Sequence, residues 1–309
     1  MRKDSEQRGL FLKIKTYLGR DKFQSKVFIL LVMIPTAIWF FTFMFYPIFL
    51  TFKNSFTDAN LAFNEESFIG LENYRRLMTD SGFHIALKNT IFSVIYIVPA
   101  TLVLSLALAL LLNSFSKRIR ETFTLFYFLP VITSMVAISI VWSWLYNPSY
   151  GLFNILLNFF GFPAQGFLTS SKQALPSISI IQVWKDVGFY AVIFLAALRT
   201  IPKSYYEAAT VDGATKFQVF RYITRPLLKP TLIFVSIVST ISAFKIFDGI
   251  KVLTDGGPGN NTMVLVLYII RKGIDNAEIG YAAAIAVVMF FIVLIITLIQ
   301  WFLTRADKN

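Results

Sequence analysis

IGYAAAIAVVMFFIVLIITLIQWFL, the stretch from Ile279 to Leu303, contains 25 residues and no charged side chain. A bilayer core of about 30 Å requires roughly 20 apolar helical residues, so this stretch predicts a transmembrane helix. Three further uncharged runs of similar length predict the same structure: Val27 to Phe52, Thr90 to Leu112 and Thr122 to Tyr146.

Two more spans contain charges within otherwise apolar sequence. Ala174 to Leu198 is interrupted by Lys185 and Asp186, and Pro230 to Asp248 carries Lys245 near its far end. The total is six, which predicts an all-α, polytopic membrane protein with a transmembrane domain over residues 27–303.

The distribution of basic residues predicts the topology. If both termini are cytoplasmic, the inner segments hold 19 of the 29 Lys and Arg in 72 residues, whereas the outer segments hold 8 in 94. Because cytoplasmic loops carry an excess of Lys and Arg, residues 1–26 and 304–309 are expected to be cytoplasmic tails.

The overall composition agrees with a lipid environment and excludes several function classes. Hydrophobic residues make up 56% of the 309 residues and charged residues only 15%, a balance typical of membrane proteins. The net charge of +12 follows the membrane topology, so no nucleic-acid partner is expected. The absence of cysteine and the presence of a single histidine, His84, argue against a catalytic dyad or a metal site.

The inner connection between the fourth and fifth spans, residues 201–230, is rich in structural signals. Ser204 with Glu207, and Thr215 with Gln218, each have the spacing of a capping box at a helix start. The dipeptide Asp212-Gly213, which lies between the two boxes, is a turn signal. Pro226 is expected to end the second helix at the preceding residue. The predicted arrangement is a helix beginning near Tyr205, a glycine turn and a second helix.

This connection resembles the cytoplasmic loop of the permeases of binding-protein-dependent ABC importers, specifically the carbohydrate-uptake class. The pattern there is E-A-A, three residues, G, nine residues, I-x-L-P. Here Glu207-Ala208-Ala209 is followed by Gly213, Ile223 and Pro226 at those spacings, with Arg225 in place of the usual leucine. Four further tracts resemble the family: Phe68 to Tyr74, Asn147 to Gly151, Phe194 to Leu198, and Leu253 to Pro258 with Thr262.

The resemblance implies a type I importer permease fold and a role in the uptake of a sugar or sugar-like solute across a bacterial-type inner membrane. It also implies three kinds of partner: a second, similar permease, a dimer of ABC ATPase subunits that bind ATP and Mg²⁺, and an extracytoplasmic solute-binding protein. The chain itself has no GxxxxGK[ST] phosphate-binding loop, and no cofactor is expected in it.

The resemblance further implies that the first short helix docks in a cleft of the ATPase. The coupling residues are then Glu207, Ala208, Ala209, Asp212, Gly213, Ile223 and Pro226. Two of them have simpler explanations. Glu207 could serve merely to complete a capping box, and Gly213 could serve merely as the glycine of a helix turn.

Lys185 and Asp186 lie about 11 residues into the fourth span, where an unpaired charge costs roughly 2.5–3.5 kcal/mol. Adjacent helical residues point about 100° apart, so one or both should face the bundle interior or a polar cavity. They line the translocation pathway or pair with another helix. Trp184, next to them in the sequence, is the first candidate among the aromatic side chains for contact with the substrate.

Two other function classes fit a six-span protein. An ion-coupled secondary transporter would require acidic sites at mid-membrane, and only Asp186 qualifies. A structural or assembly protein of the membrane would leave the patterned segment 201–230 without a role.

Overall fold

The computed structural model describes residues 28–29, 31–61 and 66–305, with side chains described as far as Leu303. The predicted N-terminal tail, and all but the first two residues of the predicted C-terminal tail, lie outside these ranges. Within them the regular secondary structure is entirely helical, with one isolated β-bridge between Thr57 and Phe68.

The chain divides into two units, residues 1–54 and 55–309. The first contains helix α1, Leu31–Asn54, which includes a π-helical turn at Phe41–Phe45. In the second unit the membrane region contains α2 Glu72–Thr79, α3 Ser81–Ser114, α4 Lys117–Ile132, α5 Met135–Leu145, α6 Leu152–Phe159 and α7 Ala174–Thr200. The segment after α7 and the remaining membrane region contain α8 Lys203–Val211, α9 Lys216–Val219, α10 Arg225–Leu227, α11 Lys229–Phe244, α12 Asp248–Leu253, α13 Leu265–Ile270 and α14 Ile279–Arg305.

Five stretches of the described residues are long and apolar enough to cross a bilayer, and the bent pair α4–α5 is a sixth if counted as one span. The predicted count of six is therefore matched. α3 begins nine residues before the predicted Thr90. The prediction started too late because Lys88 interrupts the uncharged run, although it lies within the helix. Asp80 caps it by accepting a hydrogen bond from the Gly82 amide at 2.9 Å.

The prediction of one continuous helix from Thr122 to Tyr146 is wrong. The structure breaks it into α4 and α5, which meet at an angle of 97°. Pro130 lies in the last turn of α4, where it removes a backbone donor. Thr133 and Ser134 then adopt extended backbone angles, with ψ of 139° and 134°.

α7 occupies the centre of the second unit. Its buried side chains contribute to a core cluster that includes Ile178 and Val183 at one end and to a second that includes Phe194 and Leu198 at the other. Lipid is as apolar as these side chains, so helix association within the bilayer depends on close packing. Gly188 illustrates this, because a Cβ there would lie 2.0 Å from the carbonyl oxygen of Tyr127 on α4.

Candidate functional site

The first helix of the 201–230 segment starts earlier than predicted, and the predicted Ser204–Glu207 capping box does not form. α8 begins at Lys203, with Pro202 at the N-cap and no side-chain cap. Proline pre-sets a φ near −65°, and its observed φ of −57° directs the chain straight into the helix. Ser204 is consequently inside the first turn, and Glu207 is exposed and has no capping role.

Gly213 ends α8 in a Schellman arrangement. The Gly213 amide donates to the Thr210 carbonyl at 3.1 Å, and the Ala214 amide donates to the Ala209 carbonyl at 2.9 Å. These are the two hydrogen bonds of that motif, which places a left-handed residue after the helix. Gly213 has φ of +70°, so the turn predicted from Asp212 and Gly213 is present.

The second predicted capping box is confirmed. The Thr215 hydroxyl accepts a hydrogen bond from the Gln218 amide at 3.3 Å, and the Gln218 Oε1 accepts one from the Thr215 amide at 2.7 Å. The two orphan amides at the start of α9 are thereby satisfied.

Pro226 was predicted to end the second helix, but the helical path continues through it. A π-helical turn at Phe220–Thr224 follows α9, and α10 then carries Pro226 in its first turn. Proline is tolerated there because the first amides of a helix need no intrahelical acceptor. The wider π-turn accommodates the change of hydrogen-bonding pattern, and the path continues to α11.

The segment is anchored to the membrane bundle at both ends. Ile201 and Leu228 are buried against Phe194 and Leu198 of α7. The Tyr206 hydroxyl lies 3.4 Å from the Thr224 hydroxyl, which links α8 to the π-turn. The two short helices therefore form one compact element fixed to the end of the bundle.

The predicted coupling residues are mostly exposed on this element. Glu207, Ala208, Asp212, Gly213 and Pro226 are exposed, Ile223 is half-buried and Ala209 is buried. Sequence analysis missed the large apolar side chains that this element exposes: Tyr205, Val211, Phe217, Tyr222 and Leu227 are 52%, 87%, 74%, 73% and 45% exposed. In the sequence, Tyr205, Val211 and Phe217 could have been noticed because they lie among the residues that predict the helix starts and the turn.

Lys185 and Asp186 have separate partners. The Lys185 ammonium group donates to the carbonyl oxygens of Pro130 at 3.2 Å and Val131 at 2.9 Å, at the end of α4. The last carbonyls of a helix lack intrahelical donors and attract cations. The Asp186 carboxylate instead accepts a hydrogen bond of 2.8 Å from Gln182, one turn earlier on α7.

Trp184 has contacts that differ from those of both charges. It lines a cavity of about 770 Å³ between α3, α4 and α7, together with Tyr96, Tyr127 and other apolar residues. Its ring also contacts Trp142 of α5, with centroids 5.6 Å apart. Pro130, whose carbonyl oxygen accepts from Lys185, lines the same cavity, so the aromatic wall adjoins the polar contacts at the α4–α5 break.

A polar cluster at the opposite end of the bundle was not found from sequence. Asp80 accepts hydrogen bonds from Tyr268 at 2.6 Å and Tyr281 at 2.5 Å, joining α3 to α13 and α14. Burial acts to raise the pKa of Asp80, but the hydrogen bonds from these hydroxyls and from backbone amides outweigh it and lower the pKa. Asp80 is more than 180 residues from either tyrosine in the sequence, so sequence spacing could not associate them.

A second part of this cluster is ionic. The Arg76 guanidinium contacts both Glu278 carboxylate oxygens at 3.0 Å and lies 4.0 Å from the Tyr281 ring centroid. A neighbouring polar cavity of about 570 Å³ is lined by Arg76, Glu278 and residues before α2. Over the described part of the chain no group of His, Cys, Asp or Glu side chains has a metal-binding arrangement.

Comparison with known proteins identifies relatives along nearly the whole chain. Residues 102–308 match the family model for the binding-protein-dependent transport system inner membrane component. The sulfoquinovosyl glycerol transport system permease of Agrobacterium fabrum is 34% identical, over 88% of this chain and 89% of its own length. The trehalose/maltose transport system permease of Thermococcus litoralis is also 34% identical, over 87% and 90%.

A solved structure shows the same fold. It is that of a bacterial alginate ABC transporter in complex with an alginate pentasaccharide-bound periplasmic protein. A chain of it aligns with a TM-score of 0.81 and 26% identity, covering 94% of this chain and 98% of its own.

Proposed function

Because this chain belongs to the family of inner membrane components of binding-protein-dependent transport systems, we propose that it forms half of the translocation pathway of an ATP-driven sugar importer. The proposed solute is a sugar or sugar-like molecule, supported by the saccharide and glycoside transport named for its relatives. The proposed topology places both termini in the cytoplasm, supported by the distribution of basic residues.

The exposed surface of the 201–230 segment is the observation that carries the proposal. Tyr205, Val211 and Phe217 expose most of their side chains on an element outside the membrane-spanning helices. Several large apolar side chains exposed on one short element favour a protein–protein contact. Glu207, Ala208 and Gly213 lie on the same element, and the proposed partner is an ATPase subunit.

The proposed assembly contains this chain, a second similar permease, two ATPase subunits and an extracytoplasmic binding protein. ATP and Mg²⁺ are bound by the ATPase subunits in this proposal. Closure of the ATPase pair draws the two docked segments together and shifts the permeases to an outward-facing state, and hydrolysis returns them inward. ATP does so by binding the closed state more tightly than the open one.

The rigidity of α8 and its neighbours suits this role. A segment that transmits force must move as one body, and here the Schellman turn at Gly213, the capping box at Thr215 and the burial of Ile201 and Leu228 restrain it. A flexible linker would absorb the displacement and leave the spanning helices unmoved.

An ion-coupled secondary transporter is less well supported. Asp186 is the candidate ion site within the spans, and its carboxylate is hydrogen-bonded to Gln182. This chain instead belongs to the family of inner membrane components of binding-protein-dependent transport systems, and the solved structure with the same fold is an ABC transporter.

Transport by reconstituted vesicles tests the proposal. Vesicles that contain this chain, its second permease and its ATPase subunits should accumulate sugar only when ATP and the binding protein are both present. Accumulation driven by a proton or sodium gradient without ATP would overturn the proposal. A vesicle preparation with a Walker-motif lysine variant of the ATPase is the matched control.

A further inference from the structure

The helical path that leads into α11 carries a row of three cations. Arg221, Arg225 and Lys229 follow one another at four-residue intervals, a spacing that places side chains on one helix face. All three line a single cavity of about 650 Å³.

The walls of this cavity are largely aliphatic. Leu102 of α3 and Leu232 and Ile233 of α11 line it together with Pro226 and Ser236. Leu102 lies twelve residues before Ser114 at the end of α3, which corresponds to about 18 Å at 1.5 Å per residue. Because this end of α3 packs beside Leu198 and Leu228, the cavity extends from the cationic end of the helices into the depth of the membrane.

The charges of the two arginines in this row are not accounted for by ion pairs within the described part of the chain or by the coupling pattern. Neither Arg221 nor Arg225 forms an ion pair with any other described residue. The nearest aromatic contact of Arg221 is the ring of Tyr222 at 5.9 Å. Arg225 stands where the importer pattern has leucine, so that pattern assigns no role to its positive charge.

We propose that the cavity binds an anionic phospholipid of the cytoplasmic leaflet. The phosphate group lies among Arg221, Arg225 and Lys229, and an acyl chain lies along Leu102, Leu232 and Ile233. Basic pockets between spanning helices on the cytoplasmic side are suited to anionic headgroups. The assignment of the leaflet rests on the topology in the proposed function.

Two other occupants fit the cavity less well. A free anion would use the three cations but would leave the aliphatic wall without a partner. A soluble ATPase subunit could pair with exposed Arg221 and Arg225, yet it could not extend to Leu102 inside the membrane. A phospholipid matches both the charge and the depth.

Thermal unfolding of the purified full-length chain tests this proposal. Phosphatidylglycerol added to the detergent-solubilised chain should raise its melting temperature more than phosphatidylcholine or inorganic phosphate at equal concentration. Arg221→Gln with Arg225→Gln should weaken phosphatidylglycerol binding roughly thirtyfold, since each basic residue near the surface contributes about fivefold. Arg225→Leu alone, which restores the family residue, should weaken it about fivefold.

Lys117→Gln with Arg118→Gln is the matched control, because it removes two charges from the start of α4 and leaves the cavity intact. Equal weakening in this control would overturn the proposal, as would equal stabilisation by phosphatidylcholine. Stabilisation by inorganic phosphate as large as that by phosphatidylglycerol would assign the site to a free anion and also overturn it. The readout requires neither sugar nor ATP, so failure of the transport assay would leave it unaffected.

Discussion

The ammonium group of Lys185 donates a hydrogen bond of 2.9 Å to the carbonyl oxygen of Val131. A charge in the middle of one spanning helix thus satisfies the open carbonyl end of another, at the point where α4 stops and the chain turns by 97° into α5. The same contact reduces two costs, that of placing a lysine in the membrane and that of leaving helix carbonyls without donors.

Lys185→Met should destabilise this break. Methionine retains the apolar stem but leaves the Val131 carbonyl without its side-chain donor, which costs about 1–3 kcal/mol. The Pro130 carbonyl keeps the hydrogen bond from the Thr133 amide. Equilibrium unfolding in mixed micelles measures the free energy. Lys88→Met, a lysine with an exposed side chain on α3, is the control and should change it by less than about 0.5 kcal/mol. Equal effects would mean that Lys185 has no special role.

Gly188→Ala should weaken the packing of α7 against α4. The new Cβ would lie 2.0 Å from the Tyr127 carbonyl oxygen, so the two helices must separate. Such overpacking costs about 1–3 kcal/mol, and a lower melting temperature in detergent would reveal it. Ala196→Val adds bulk at an exposed position of the same helix and should leave the melting temperature nearly unchanged. A Gly188→Ala variant as stable as the unmodified chain would contradict the observed contact.

Asp80 should make the stability of the chain sensitive to acid. Its pKa in the folded chain lies below the ordinary value of 3.8. The ionised carboxylate therefore contributes stability that is fully present above pH 3.8 and is lost as the pH falls through the folded pKa. Melting temperatures recorded from neutral pH downward should fall in this acid range.

Asp80→Asn should reduce that acid dependence, because the asparagine does not titrate. Its melting temperature should already be lower at neutral pH, since Tyr268 and Tyr281 lose a charged acceptor. Asp275→Asn, at an exposed position, is the control and should retain the acid dependence. An unchanged pH profile in Asp80→Asn would refute this role.

Gly213→Val should impair coupling through the backbone. A β-branched residue at φ of +70° is strained by about 1–2 kcal/mol, although no neighbouring atom lies within 4 Å of the new Cβ. Co-purification of the ATPase subunits should fall for Val and be retained for Gly213→Asn, because asparagine tolerates the left-handed region. Equal loss in both variants would show that the partner excludes any side chain here, and that backbone conformation is not the cause.

The sequence alone was sufficient for the span count, the second capping box and the glycine turn. Long uncharged runs identify spanning helices because the bilayer core tolerates few charges. Thr215 with Gln218, and Gly213, are local signals whose hydrogen bonds close within five residues. The first capping box failed for an equally local reason, because Pro202 starts the helix before Ser204 can cap it.

The tertiary structure alone decided which groups pair with the charged side chains and with the open carbonyls at the helix break. Lys185 reaches carbonyls 54 and 55 residues earlier, and Asp80 receives hydroxyls from α13 and α14. Backbone continuity through Pro226 likewise depends on a π-turn that carries no sequence signature. Hydrophobicity is a property of each residue and can be read along the chain, whereas these contacts depend on which helices lie side by side after packing.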